Sequence, residues 1–145
     1  MKTFLDTSVL VAAVVQKHAS HAAAFTMLER VQNGRDEGFV SAHSLAEMYA
    51  VLTKLPPPFR HSPEQALLSI EENVVKYFKT ISLTGLEYAG LLREAALAGI
   101  QGGTIHDAVL LKCAAKSPAQ RIYTFNVKHF EAIQPNDAAA DIVAP

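Results

Sequence analysis

The stretch Met1-Lys2-Thr3-Phe4-Leu5-Asp6-Thr7-Ser8-Val9-Leu10 sets a short apolar run directly against an aspartate. Phe4 and Leu5 require a buried sheet, and a carboxylate buried beside them is costly unless something pairs with it. In open α/β sheets, the crevice just past the carboxyl ends of the strands is where ligands bind. The junction therefore predicts a strand over Lys2–Leu5 that delivers Asp6 to such a crevice.

The same pattern repeats outward from that junction. Phe39–Ser41, Thr80–Leu83 and Arg121–Thr124 are short apolar runs ending in polar groups, and Asp141–Val143 is a candidate edge strand. Helical patterns lie between them, over Val9–Gln16, Ala22–Gln32 and Leu45–Lys54. Ser62-Pro63-Glu64-Gln65 supplies an N-cap, a proline at the first helical position and a capping-box glutamine. Thr84-Gly85-Leu86-Glu87 opens a further helix that ends near Gly99, and Thr104–Ser117 is another, stopped by Pro118. Strands alternating with helices predict an α/β fold whose mainly parallel sheet is covered on both faces. With no repeat and no low-complexity linker, residues 1–145 are expected to form one domain.

Composition narrows the class. Half of the residues are apolar and 19% are charged, which excludes a disordered chain. A formal net charge of −1 gives no general attraction to nucleic acid, so a polyanion must be held by local cations or by metal ions. The single cysteine, Cys113, permits no internal disulfide and lies within an apolar run, as a small core residue does. Lys2 followed by Val9–Val15 imitates a secretory signal, but Asp6 and Thr7-Ser8 interrupt it. Seven apolar residues are also far short of the roughly 20 that span a membrane. A cytoplasmic protein with no membrane partner is expected.

Each remaining residue of interest, two acids and an amide, falls at a strand end or in an early helical turn. Glu47 follows the second strand, Asp107 lies in the first turn of the helix opened by Thr104, and Asn126 follows the fourth strand. A parallel sheet brings such positions to one edge. Two carboxylates about 4 Å apart repel by roughly 4 kcal/mol at an effective dielectric of about 20. Protonation or a cation must relieve them. Oxygen donors without companion cysteines favour Mg²⁺ or Mn²⁺ over zinc, and Mg²⁺ works with phosphate oxygens. Other readings stand beside this one. Ser44-x-x-Glu47 and Thr104-x-x-Asp107 have capping-box spacing, and Asp6 suits an Asx-turn or N-cap for the helix at Val9.

Taken in order, Phe4-Leu5-Asp6-Thr7-Ser8-Val9-Leu10, Ser44-Leu45-Ala46-Glu47, His106-Asp107-Ala108 and Tyr123-Thr124-Phe125-Asn126-Val127-Lys128-His129-Phe130 resemble the signature of PIN domains. The likeness is greatest to the VapC-type ribonuclease toxins of type II toxin–antitoxin systems, and it spans nearly the whole chain. It implies a three-layer α/β/α sandwich and a metal-dependent endoribonuclease. By motif match Asp6, Glu47 and Asp107 would be the metal-binding acids, with Mg²⁺ or Mn²⁺ as cofactor. The fourth catalytic position falls on Asn126, a neutral amide where many PIN domains carry an acid. Thr7, Ser8 and Thr104 are hydroxyl candidates for orienting ligands or water. The resemblance also implies an RNA substrate, a cognate antitoxin and a homodimer.

Lys128, His129 and Arg60 are the candidate RNA contacts. The six histidines show no HExxH or Cys/His spacing, so surface or capping roles are expected for them rather than zinc. The stripe Leu67, Leu68, Ile70, Val74 and Val75 is expected in the core. Together with Met48, Tyr49 and Leu52 it can alternatively form a dimer face or a groove for a partner helix. Two functions from other classes compete with the nuclease. A catalytically weak PIN-like module that binds RNA or protein is kept open by Asn126. An aspartyl-phosphate enzyme needs a second acid two residues after its nucleophile, and Ser8 stands there.

Overall fold

The computed structural model describes residues 1–145. Five strands form one all-parallel sheet: β1 (Lys2–Leu5), β2 (Glu37–Ser41), β3 (Lys79–Ile81), β4 (Arg121–Tyr123) and β5 (Asp141–Val143). Their spatial order is β3-β2-β1-β4-β5, so β1 is central. The chain builds β2 and β3 on one side of β1 and then crosses to add β4 and β5 on the other. That reversal makes the β1–β4 boundary the topological switch point, where a crevice opens past the strand ends.

Alternation along the strands supplies two cores. Leu5, Val40 and Tyr123 face one way, onto α1 (Thr7–Val14), α2 (His21–Gln32), α3 (Ala42–Leu52) and α4 (Pro63–Ile70). Phe4, Phe39, Ile122 and Ile142 face the other, onto α5 (Gly85–Leu97), α6 (Thr104–Lys116) and α7 (Val127–Ile133). The three-layer α/β/α architecture follows from this period-2 division of a sheet buried on both faces.

Both predicted capping boxes form, at Ser62/Gln65 and Thr84/Glu87, and Pro63 occupies the first helical turn of α4. The apolar stripe departs from its expected place in the core. Ile70 and Val74 are buried, whereas Leu67, Leu68 and Val75 are 52%, 60% and 48% exposed. After α4 the chain makes one π-helical turn, Glu71–Val75. Only Ala66, Ile70 and Val74, four residues apart, point inward, so their apolar neighbours are turned out. Tyr49 is likewise exposed, while Met48 and Leu52 are fully buried. No helix is long and apolar enough to cross a membrane.

Candidate active site at the carboxyl edge of the sheet

Asp6 ends β1 and begins α1. Its backbone is extended (φ −70°, ψ 154°), and its carbonyl accepts from the Val9 and Leu10 amides, which starts the helix. Its side chain, however, makes no N-cap bond to the helix. Oδ2 instead accepts from Ser8 Oγ at 2.7 Å and from Thr124 Oγ1 at 2.8 Å. The capping reading of Asp6 thus holds for its backbone and fails for its carboxylate.

Parallel pairing explains the reach to Thr124, 118 residues away. Leu5 stands opposite Tyr123, and the Asp6 amide donates to the Tyr123 carbonyl at 3.0 Å. The next residue of each strand therefore meets across the switch point. Thr124 is fully buried, and its hydroxyl also accepts from the Asn126 amide at 3.0 Å.

Asp6 is only 5% exposed. Burial pushes its carboxyl pKa up from the ordinary 3.8. Bonds from Ser8, Thr124 and the Thr7 amide pull it back, and the negative charge of Asp107 raises it further. No lysine or arginine pairs with it. Three donors to hand and no cation leave a buried charge that is hydrogen-bonded but not neutralised.

Glu47 sits in the second turn of α3, whose N-cap is Ser41, so the capping box proposed for Ser44 and Glu47 does not form. Ser44 is buried and lies 2.8 Å from Thr7 Oγ1, which donates to Glu47 Oε1 at 3.2 Å. Thr7 thus ties α1 to α3 and orients the glutamate. His43, one turn earlier on α3, places Nε2 3.8 Å from Glu47 Oε1. The same nitrogen lies 3.0 Å from His106 Nδ1, with the two rings nearly parallel.

Asp107 lies in the first turn of α6. That helix starts after Gly103 without a side-chain cap, so the box proposed for Thr104 and Asp107 is also absent. Asp107 Oδ2 meets His129 Nε2 at 2.8 Å. Asn126 precedes α7 and is exposed, and its side chain makes no cap bond. Thr104 lies near the start of α6, half-buried, and makes no side-chain hydrogen bond to the acids. Lys128 is exposed in the first turn of α7. Arg60 lies beyond the far end of α3, where Nε donates to the Leu55 carbonyl at 2.9 Å. Nothing ties Arg60 to the acids.

No three acid or imidazole side chains close into a shell ready for an ion. Thr7 holds Glu47 and His129 holds Asp107. The donor set nevertheless suits a divalent cation. Asp6 carries an unneutralised buried charge beside Asp107, and both hydroxyl bonds fall on its Oδ2. Mg²⁺ needs only one or two carboxylates and keeps water for its remaining positions.

Thr124, Ser44, His43 and His106 are site residues that reading the sequence missed as such. Thr124 carried a signal, since it ends the fourth apolar run as Asp6 ends the first. The two histidines carried none, being 63 residues apart.

The acids stand at the carboxyl edge of a sheet whose switch point is β1/β4, and residues 3–134 match the PIN domain family model. The chain belongs to the PIN-domain family, among its VapC-type members. It is 32% identical over 126 residues to Ribonuclease VapC40 of Mycobacterium tuberculosis, covering 87% of both chains. Two solved structures share the fold. Mycobacterium tuberculosis VapC20, described as a toxin that cleaves the sarcin–ricin loop, superposes with a TM-score of 0.69 at 17% identity, over 92% of this chain and 96% of that one. VapBC2 of Rickettsia felis, bound to a DNA fragment from its promoter, gives 0.66 at 19% identity, over 100% and 99%.

Proposed function

We propose that this protein is a divalent-metal-dependent endoribonuclease, the toxin of a toxin–antitoxin pair. The observation that carries this reading is Asp6, a buried carboxylate at the switch point with hydroxyl partners but no cation. The name of the 32%-identical relative, Ribonuclease VapC40, supplies the substrate class. Asp6, Asp107 and Glu47 would hold Mg²⁺ or Mn²⁺. A bound divalent ion supplies positive charge at the scissile phosphate and acidifies water for in-line attack.

The protein's own groups hold that geometry. Ser8 and Thr124 fix Asp6 by two short bonds to one oxygen, leaving Oδ1 outside both. Thr7 restrains Glu47, and His129 restrains Asp107. Asn126 would add an uncharged donor at the rim, and Lys128, exposed in the first turn of α7, would meet a phosphate. No side chain needs to act as a covalent nucleophile. Residues 1–145 act as one catalytic unit in the cytoplasm. VapBC2 supports an antitoxin partner for this chain too, and a homodimer is proposed alongside it.

The test is cleavage of RNA by purified protein, with the ends mapped. Activity should require added Mg²⁺ or Mn²⁺ and vanish in excess EDTA. Full activity in EDTA, or in Asp6→Asn, would sink the proposal. The exposed, unengaged Asn126 favours a second reading, a metal-binding but catalytically weak module. Tight metal binding without turnover on any RNA would select it.

A further inference from the structure

We propose that His43 and His106 form one flat platform at the rim of the site, on which a base beside the scissile phosphate stacks. The two histidines would then help to choose the substrate. This inference rests on the endoribonuclease reading above and deepens it.

The shape of the pair follows from three measurements. Nε2 of His43 and Nδ1 of His106 are 3.0 Å apart, the ring planes differ by 8°, and the centroids lie 5.0 Å apart. Atoms of ring faces in contact stand about 3.5–4 Å apart, so nitrogens this close in nearly parallel rings do not belong to one face laid over another. The rings lie side by side instead, joined through their edges by one N–H···N hydrogen bond. The result is a plate two rings long, similar in span to the fused rings of a purine. The bond spends one polar atom of each ring within the plane of the plate and leaves the π faces out of it.

The position suits a nucleotide at the cut. His43 lies in the first turn of α3 with Nε2 3.8 Å from Glu47 Oε1, and His106 directly precedes Asp107 in the first turn of α6. The plate therefore bridges the two helices that bring Glu47 and Asp107 to the carboxyl edge. His106 is exposed and the His43 side chain is 32% exposed, so the pair is open to solvent.

Charge gives RNA little hold here. The chain carries a net charge of −1, and the site gathers Asp6, Glu47 and Asp107. A polyanion approaching three carboxylates needs an uncharged grip, and stacking of one base on a flat ring supplies about tenfold or more in affinity. Bases splayed from single strands and loops are held in this way. A duplex keeps its bases stacked on one another and offers the plate nothing, so cleavage is directed to unpaired RNA.

Single-turnover cleavage tests this with a synthetic RNA spanning the mapped cut, set beside the same RNA made abasic at the nucleotide on either side of it. The parent protein should cleave one of the two abasic RNAs about tenfold more slowly than the intact one. His106→Gln keeps a hydrogen-bonding group for His43 but has no ring. It should cleave the intact RNA about tenfold more slowly and no longer distinguish it from the abasic one. His106→Phe keeps a flat ring without the bond and should restore the discrimination. The same two changes at His43 repeat the test on the other ring. A purely structural link between α3 and α6 predicts the reverse order, with the glutamine variant near the parent and the phenylalanine variant slow on every RNA alike. That order, or a parent indifferent to both abasic positions, overturns the platform and leaves the ribonuclease reading standing. A parent that cleaves no RNA overturns both.

Discussion

Two aspartates of this protein are buried to nearly the same degree, and their surroundings are opposite. Asp36, 7% exposed, lies just before β2 at the amino edge of the sheet. Arg30 donates to it from Nε at 2.7 Å and from Nη2 at 3.0 Å, and the Met1 ammonium adds a third contact at 3.3 Å. The Arg30 guanidinium holds its carboxyl below the ordinary range. Asp6, 5% exposed at the carboxyl edge, has hydroxyls for partners, and burial holds its carboxyl above that range. Equal burial with opposite charge balance separates a carboxylate that serves the fold from one reserved for something the chain does not supply.

The largest expected effect follows from that contrast. Asp6→Asn should lower RNA cleavage by at least about 100-fold, the scale seen when one fixed electrostatic group is removed from an active site. Its fold should persist. Asp36→Asn should leave cleavage within a few-fold of the parent and destabilise the protein by about 1–3 kcal/mol, the cost of spoiling charge-assisted bonds to a buried acceptor. Cleavage assays and urea unfolding on both variants measure the split. An inactive but stable Asp36→Asn, or an unfolded Asp6→Asn, would erase the distinction.

The pH dependence should also be opposite in sign. Asp36 has a lowered pKa, so its contribution is complete above the unfolded value near 3.8 and is lost as pH falls below it. Asp6 has a raised pKa, so between 3.8 and its native value the folded state binds more protons than the unfolded one. Stability therefore falls as pH rises through that window. Near neutral pH, without metal, Asp6→Asn should melt higher than the parent, and Asp36→Asn lower. Below pH 3.8 both differences should shrink. Melting curves across this range that moved the two variants in the same direction would refute the assignment.

The fold was legible because the signals were local and physical. Phe4-Leu5, Phe39-Val40 and Ile122-Tyr123 each send one residue to each core, although the run Thr80–Leu83 outlasts its strand, Lys79–Ile81, by two residues. The seven-residue helix α7 was not legible, since only Phe130 of it is buried and one residue shows no periodicity. Nor was the fate of Leu67 and Leu68. Both are turned out, because the inward face is the single row Ala66, Ile70 and Val74, and the apolar pattern does not say which row of the stripe faces in. In the site, the acids were legible by position along the chain. The pairings that hold them, Thr124 with Asp6, Thr7 with Glu47 and His129 with Asp107, were not, because they depend on register between distant elements.

Thr124 provides the smallest and most discriminating test, because it is to Asp6 what Arg30 is to Asp36, but without charge. Its hydroxyl donates to Asp6 Oδ2 at 2.8 Å while accepting from the Asn126 amide at 3.0 Å, so one atom fixes both the acid and the entrance to α7. Valine has nearly the same shape and neither bond. Thr124→Val should reduce cleavage about tenfold through loss of Asp6 orientation, the scale of removing a group that positions a ligand. It should weaken metal binding in parallel. Thr124→Ser keeps the hydroxyl and should restore most of both. A purely structural role predicts a different pattern: Thr124→Val would lower the melting temperature while cleavage per folded molecule stayed constant. Because Asp6 lacks a cation, loss of a neutral donor should register in metal affinity and turnover first, and only slightly in stability.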